Sequence, residues 1–291
     1  MCIRDRGSLD LISGMESSFV DELLDEQGNL RDEHQNSLQF LKSPFLNLEY
    51  FGINIHATDI KSPLRKKAFR QALNYGFDRN KMLQSMRNNV GKAADSGVTP
   101  IGLPSHNAKL VKGFNYDPEQ ARTLLQKAGY PNGKGLPTLE ISTDQNYVDL
   151  ATFISRQWED LGIKSKIEVV ESATLRNKMR KGQVPLFRGS WIADYPDGEN
   201  YFSMFYSKNP PPPNYTQFTN ERFDKLYEKA LLENNDEKRY ETYRAMEDLL
   251  LDEAPVVLLF YDQTAICAAK SIQGLSRNAL NLLVLKNVKK G

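Results

Sequence analysis

Between residues 139 and 193 the apolar period changes again and again, and this alternation restricts the fold more than any other feature. Leu139 to Thr143 reads as a strand, and Leu150, Ile154, Trp158 and Leu161 recur at helical spacing. Ile163, Ser165, Ile167 and Val169 then alternate as a strand does. Ala173 to Lys181 is a short helix, and Leu186 to Ala193 a third strand. A β-α-β-α-β order with right-handed crossovers builds an open parallel sheet, so the expected class is α/β. In such sheets ligands lie outside the carboxyl ends of the strands.

The third strand delivers Trp191 and then Asp194 to that edge. Pro196 and Gly198 follow, with Asp197 and Glu199, which is loop composition. One reading makes Trp191 core and Asp194 a turn cap. The other turns both toward a ligand: a buried or semi-buried carboxylate is costly unless paired, and a ligand ammonium would pair it. Trp191 offers a flat apolar face, and Arg188 a fork suited to a carboxylate. Acid, base and aromatic on one strand suit a zwitterion such as a short peptide. The alternative is that Arg188 and Asp194 pair with other parts of the protein.

Elsewhere, Leu9, Leu11 and Ile12 form a short apolar run, Gln39 to Leu41 starts a strand, and Leu48 to Ile55 is a stronger one. A chain that opens inside a strand reads as cut, because that strand needs a ladder neighbour. Ser62-Pro63 opens a helix with Leu64, Ala68, Phe69, Ala72 and Leu73 inward and Arg65, Lys66, Lys67 and Arg70 outward as a solvated face. Asp78 restarts it after Gly76. Residues 91–107 read as a long loop, and Asp117-Pro118 opens the next helix. Lys208 to Asn214, with four prolines, is a stiff spacer. Two further helices precede Pro255 and a buried strand, Val256 to Tyr261, and the tail from Ile272 to Val288 is amphipathic without a clear period.

Composition excludes several functions. With 38 basic and 37 acidic residues in 291 and no basic stripe, nucleic acid is not the expected partner. No apolar run approaches the roughly 20 residues of a membrane-spanning helix. The polar start, Met1 to Ser8, reads as neither signal nor lipidation site. Cys2 and Cys267 are too few to set a redox compartment. His34, His56 and His106 lack metal-ligand spacing, so no metal is expected. Gly133-x-Gly135 sits before a strand, the wrong order for a phosphate loop, so no cofactor is expected either. Asp194 and Glu199 could form a glycosidase acid pair, but they share one loop, whereas such pairs come from opposite walls.

Five segments resemble one family: Gly52-Ile53-Asn54, Phe69 to Arg79 (Phe-Arg-Gln-Ala-Leu-Asn-Tyr-Gly-Phe-Asp-Arg), Tyr116 to Arg122, Trp191 to Asp197 (Trp-Ile-Ala-Asp-Tyr-Pro-Asp) and Pro255 to Tyr261. In this order they are similar to the carboxyl-terminal part of the dipeptide/oligopeptide solute-binding proteins of ABC importers, extracellular family 5. The resemblance implies a two-lobed, hinged type II periplasmic-binding-protein fold, with the signal and the start of the first lobe absent here. It implies a nearly complete carboxyl-terminal lobe at 58–257, and first-lobe remnants at 1–57 and 258–291. Hinge strands are implied around Gly52–His56 and Leu258–Asp262.

It further implies that Asp194 takes a peptide's α-ammonium, that Trp191 lines the pocket and that Arg188 meets the peptide carboxylate; Tyr195 and Asn54 complete the ligand-binding set. The implied function is capture of peptides, as a monomer outside the cytoplasmic membrane, and delivery to an ABC permease, without cofactor or catalysis. Alternatives are a member for nickel, oligosaccharide or haem, or a carbohydrate-active enzyme.

Overall fold

The computed structural model describes residues 9–13, 17–278, 280 and 282–291. Cys2 and the rest of Met1–Ser8 lie outside them, as do Gly14 and Met15 beside the first apolar run. The alternating periods become β4 (Leu139–Thr143), α5 (Val148–Glu159), β5 (Ser165–Val169), α6 (Ser172–Arg180) and β6 (Leu186–Ile192). Both β5 and β6 pair parallel with β4. The sheet is not parallel throughout, however. Strand β2 (Leu38–Ile53) runs antiparallel to β6, and β7 (Val256–Ala269) antiparallel to β2. Strands β1 (Leu11–Ser13) and β3 (Lys92–Ala93) both pair with β7, and the order is β1-β7-β2-β6-β4-β5. The reason is the chain path: β2 comes before the crossover helices and slots between β6 and β7, which run the same way.

Side chains of alternating strand positions fill two cores, one on each face. On one face Phe51, Ile53, Ile141, Leu186 and Val257 meet α2 (Lys67–Tyr75), α3 (Arg79–Arg87), α4 (Pro118–Lys127) and α5. On the other, Leu48, Tyr50, Phe187 and Leu258 meet α6, α7 (Glu199–Phe202), α8 (Glu221–Leu232) and α9 (Asp236–Glu253). Two glycines let the β2–β6 pair close. Gly52 lies opposite Phe187 and Gly189 opposite Tyr50. A methyl on either would come within 2.4 Å and 2.7 Å of those rings.

The helix expected from Ser62 divides. Pro63–Arg65 is a 3-10 turn, Lys66 is extended, and α2 starts at Lys67. Arg70 explains the break, and it is not on a solvated face. Only 6% exposed, its Nη1 donates to the Leu64 and Arg65 carbonyls freed at the break, and its Nε and Nη2 to the Glu253 carbonyl. Asn74 and the buried Arg79 likewise bond to the Val256 and Leu258 backbone of β7. The polar residues of the Phe69–Arg79 motif therefore staple α2 and α3 to the sheet.

The loop at 91–107 is pinned from α9. Glu247, fully buried, accepts from the Val98 and Thr99 amides at 2.7 and 2.9 Å, and Tyr261 donates to the Gly97 carbonyl at 2.8 Å. Burial pushes the Glu247 carboxyl from its ordinary 4.5 up to about 7. A raised carboxyl in the folded state means that folding takes up a proton between those values. The contribution of Glu247 to stability is therefore fullest below pH 4.5 and falls by about 3 kcal/mol as pH rises to 7. Glu247→Gln is expected to flatten that slope in denaturant unfolding between pH 5 and 8; an unchanged slope would mean that other groups carry it.

Burial along β2 is divided. None of residues 38–45 is buried, whereas every residue from Leu46 to Ile53 is. From the outer half, Leu38 and Phe40 pack into a small cluster around Leu23, Leu24, Val90 and Cys267. Amides of Leu38–Ser43 and Phe45 are expected to exchange clearly faster than those of Leu46–Ile53, since local opening follows contact density. Equal protection along β2 would count against this division.

Candidate functional site

Asp144, Val170 and Asp194 follow the carboxyl ends of β4, β5 and β6 along one edge of the sheet. Beyond β6 the chain is held by Asn200, whose buried Oδ1 accepts from Trp191 Nε1 at 2.7 Å and from the Asp194 amide at 3.4 Å. The Ala193 amide and the Tyr201 hydroxyl both donate to the Leu46 carbonyl. This frame places Asp194 at the rim, exposed. Among the described residues nothing bonds to its carboxylate.

The other two carboxylates of the loop are occupied. Asp197 accepts from Tyr243 at 2.7 Å and pairs with Arg239 at 3.0 Å. Glu199 takes hydroxyls from both Tyr195 and Tyr227. Burial and then Glu199 push the Tyr195 phenol up to about 12, so it stays a donor. Glu199 is thus a clamp within the loop, its carboxylate held by two hydroxyls.

Arg188 lies on the face of β6 opposite to Trp191, as odd spacing on a strand requires. Trp191 stands across from Leu48 and packs on the second core. Arg188 points instead to Glu49, with Nη2 2.6 Å from Oε2, and to Asp144, with Nη1 3.8 Å from Oδ2. The Tyr147 ring centre lies 3.3 Å from its guanidinium carbon. Asn47 Nδ2 joins Glu49 Oε1 at 3.1 Å to Asp262 Oδ2 at 3.3 Å, and Arg87 binds Asp262 at 2.7 Å. The result is a charged row following the sheet order β7, β2, β6, β4. Burial pushes the Glu49 carboxyl up and Arg188 opposes this; burial and Glu49 raise the Tyr147 phenol to about 12.

The structure brings Asp194, Trp191 and Tyr195 together at the rim, with Arg188 behind them in an internal pair. It does not bring Asn54 there. Ile53 pairs with Leu186 while Asn47 pairs with Ile192, so Asn54 sits at the opposite end of β6, some 20 Å away at about 3.3 Å per residue. It is fully buried, and its Oδ1 accepts from the His56 and Ala57 amides. Glu49, Asn47, Asp144 and Tyr147 were not marked by the sequence; Glu49 at a buried strand position is the signal that could have found them.

Comparison with known proteins gives a consistent picture. The profile of the bacterial extracellular solute-binding proteins, family 5 middle region, matches residues 4–213. Heme-binding protein A of Haemophilus influenzae is 29% identical over 75% of this chain and 40% of its own. The dipeptide-binding protein of Escherichia coli K12 is 24% identical over 89% and 48%. The chain thus spans about half the length of the curated relatives it matches or less. In structure, a periplasmic oligopeptide-binding protein from Borrelia burgdorferi superposes with a TM-score of 0.79 at 23% identity, covering 99% of this chain and 55% of that one.

Proposed function

This chain belongs to family 5 of the bacterial extracellular solute-binding proteins and has their type II periplasmic-binding-protein fold, and from that premise we propose that it binds peptides at the Asp194 edge for delivery to an ABC permease. The observation that carries the reading is Asp194 itself: a carboxylate without a partner among the described residues, on a backbone whose amide bonds to Asn200, beside the half-buried Trp191. An ammonium is the complement of that carboxylate, and the indole supplies an apolar wall. The names of the relatives agree in kind, since dipeptide and oligopeptide binders are among them.

On this reading the protein acts outside the cytoplasmic membrane as a monomer, and it captures its ligand without transforming it. Residues 58–257 form most of one lobe, and β2 and β7 lead toward the other. Their crossing point is proposed at the register shift between Pro44 and Leu48, opposite Tyr261 to Gln263, where β2 leaves the large cores, rather than around Gly52–His56, since Gly52 and Ile53 lie buried between those cores. Incubation with a tripeptide and, separately, with an oligosaccharide tests the function. Heat of binding is expected for the peptide, recovered intact; oligosaccharide hydrolysis, or binding of the sugar alone, would overturn it.

A further inference from the structure

The charged row behind Asp194 contains three carboxylates, Asp262, Glu49 and Asp144, and two guanidinium groups, those of Arg87 and Arg188. Formally it carries one excess negative charge, and Asp194 adds a second at the rim. Arg188 is also flanked by carboxylates that a ligand carboxylate would have to replace or face. Glu49 occupies one terminal nitrogen at 2.6 Å, Asp144 lies by the other, and Tyr147 covers a face. A ligand carboxylate could take the Nη2 edge of that fork only by displacing Glu49, and at the Nη1 edge it would meet the Asp144 carboxylate, 3.8 Å away. Glu49 is 2% exposed, so once displaced it would stay buried and unpaired, with Asp144 and Asp262 close by. An unpaired buried charge is among the most costly arrangements a protein can hold.

We infer that Glu49 is a specificity-determining residue: it fills the place at Arg188 that a ligand carboxylate would take, so this edge selects amine-bearing ligands whose own carboxylate is capped or held away from β6. The inference rests on Asp194 as the ammonium anchor, and it names the chemical class that follows. A dipeptide zwitterion placed along β6 is disfavoured. The same peptide as its amide, or a longer peptide whose carboxyl end passes beyond the row, is preferred.

Calorimetry with Leu-Leu and its carboxyl-terminal amide tests this on the chain and on Glu49→Gln. The native chain is expected to bind the amide about ten-fold more tightly or better, a gap of the size that one charge-assisted contact gives. Glu49→Gln should improve the free acid about ten-fold and change the amide less than about three-fold. Equal affinities in the native chain, or an unchanged ratio in the variant, would overturn the inference. Glu49→Asp, shorter by one methylene, gives the same pattern in smaller measure should Glu49→Gln not fold.

A second arm needs no peptide. Acetate is a carboxylate without an amine, and the Arg188 Nε proton, which has no acceptor among the described residues, reports on the guanidinium by NMR. Acetate should shift that resonance in Glu49→Gln and not in the native chain. An equal response in both overturns the role of Glu49 whether or not peptides bind. A response confined to the variant, with no peptide bound by either protein, upholds the role of Glu49 and removes the peptide reading instead.

Discussion

Asp194→Ala is expected to weaken the binding of a free-amine tripeptide by about thirty-fold or more. Once a bound peptide shields Asp194 from water, truncating one partner of the charge-assisted pair costs on the order of 2–5 kcal/mol, much of it from the ammonium left without an acceptor, and 1.4 kcal/mol is about ten-fold in affinity. The neighbours cannot substitute. Asp197 is held by Tyr243 and Arg239, and Glu199 by Tyr195 and Tyr227. Amino-acetylation of the peptide should therefore weaken binding to the native chain by a similar factor and leave little for the mutation to remove. Fold stability should hardly change, since the side chain is exposed and makes no bond among the described residues. Titration calorimetry with the free and acetylated forms of one tripeptide decides the matter. If Asp194→Ala binds the free peptide as tightly as the native chain, the anchor is elsewhere.

The position of Asp194 was legible because it depends only on strand order: four period changes give three strands joined by helical crossovers, which set β4, β5 and β6 parallel, and the chain just past the third strand must stand at their carboxyl edge. What depended on antiparallel β2 was not legible. Periodicity marks Leu48 to Ile55 as a strand without giving its direction, and direction alone puts Asn54 at the far edge and Glu49 beside Arg188. These two are 139 residues apart, so nothing local pairs them. The outer half of β2 was missed as part of one long strand because Lys42, Ser43 and Pro44 lack strand composition; the ladder to β7 carries it there instead. Arg70 looked solvated because it stands among Arg65, Lys66 and Lys67. Its acceptor, the Glu253 carbonyl, arrives from the end of α9, 183 residues later. In each case the hidden element is a contact between distant segments, and the visible one is a local period or cap.

Arg188→Ala is expected to cost about 3–5 kcal/mol of stability in urea unfolding at neutral pH, the range for breaking a buried ion pair from one side. Glu49 would keep only Asn47 and the Tyr147 hydroxyl, at 3.1 and 3.4 Å. Burial already pushes its carboxyl up, and the opposing Arg188 would be gone. In the variant the folded state would therefore hold a proton on Glu49 to still higher pH. The loss should shrink as pH falls toward the ordinary carboxylate range and grow as pH rises past the raised value.

The double variant Glu49→Leu/Arg188→Met is expected to recover most of the loss, because apolar residues of similar volume often replace a buried pair without penalty. That variant also separates stability from selection. If the pair exists only to hold the sheet edge together, the repacked protein should discriminate amidated from free dipeptide as before. If Glu49 sets ligand choice by occupying Arg188, the repacked protein should unfold at nearly the native urea midpoint while its preference for the amide narrows, since no buried carboxylate then remains to be displaced. A cost below about 1 kcal/mol for Arg188→Ala would show that Asn47 and Tyr147 suffice to satisfy Glu49, and the pair would lose its place in both arguments.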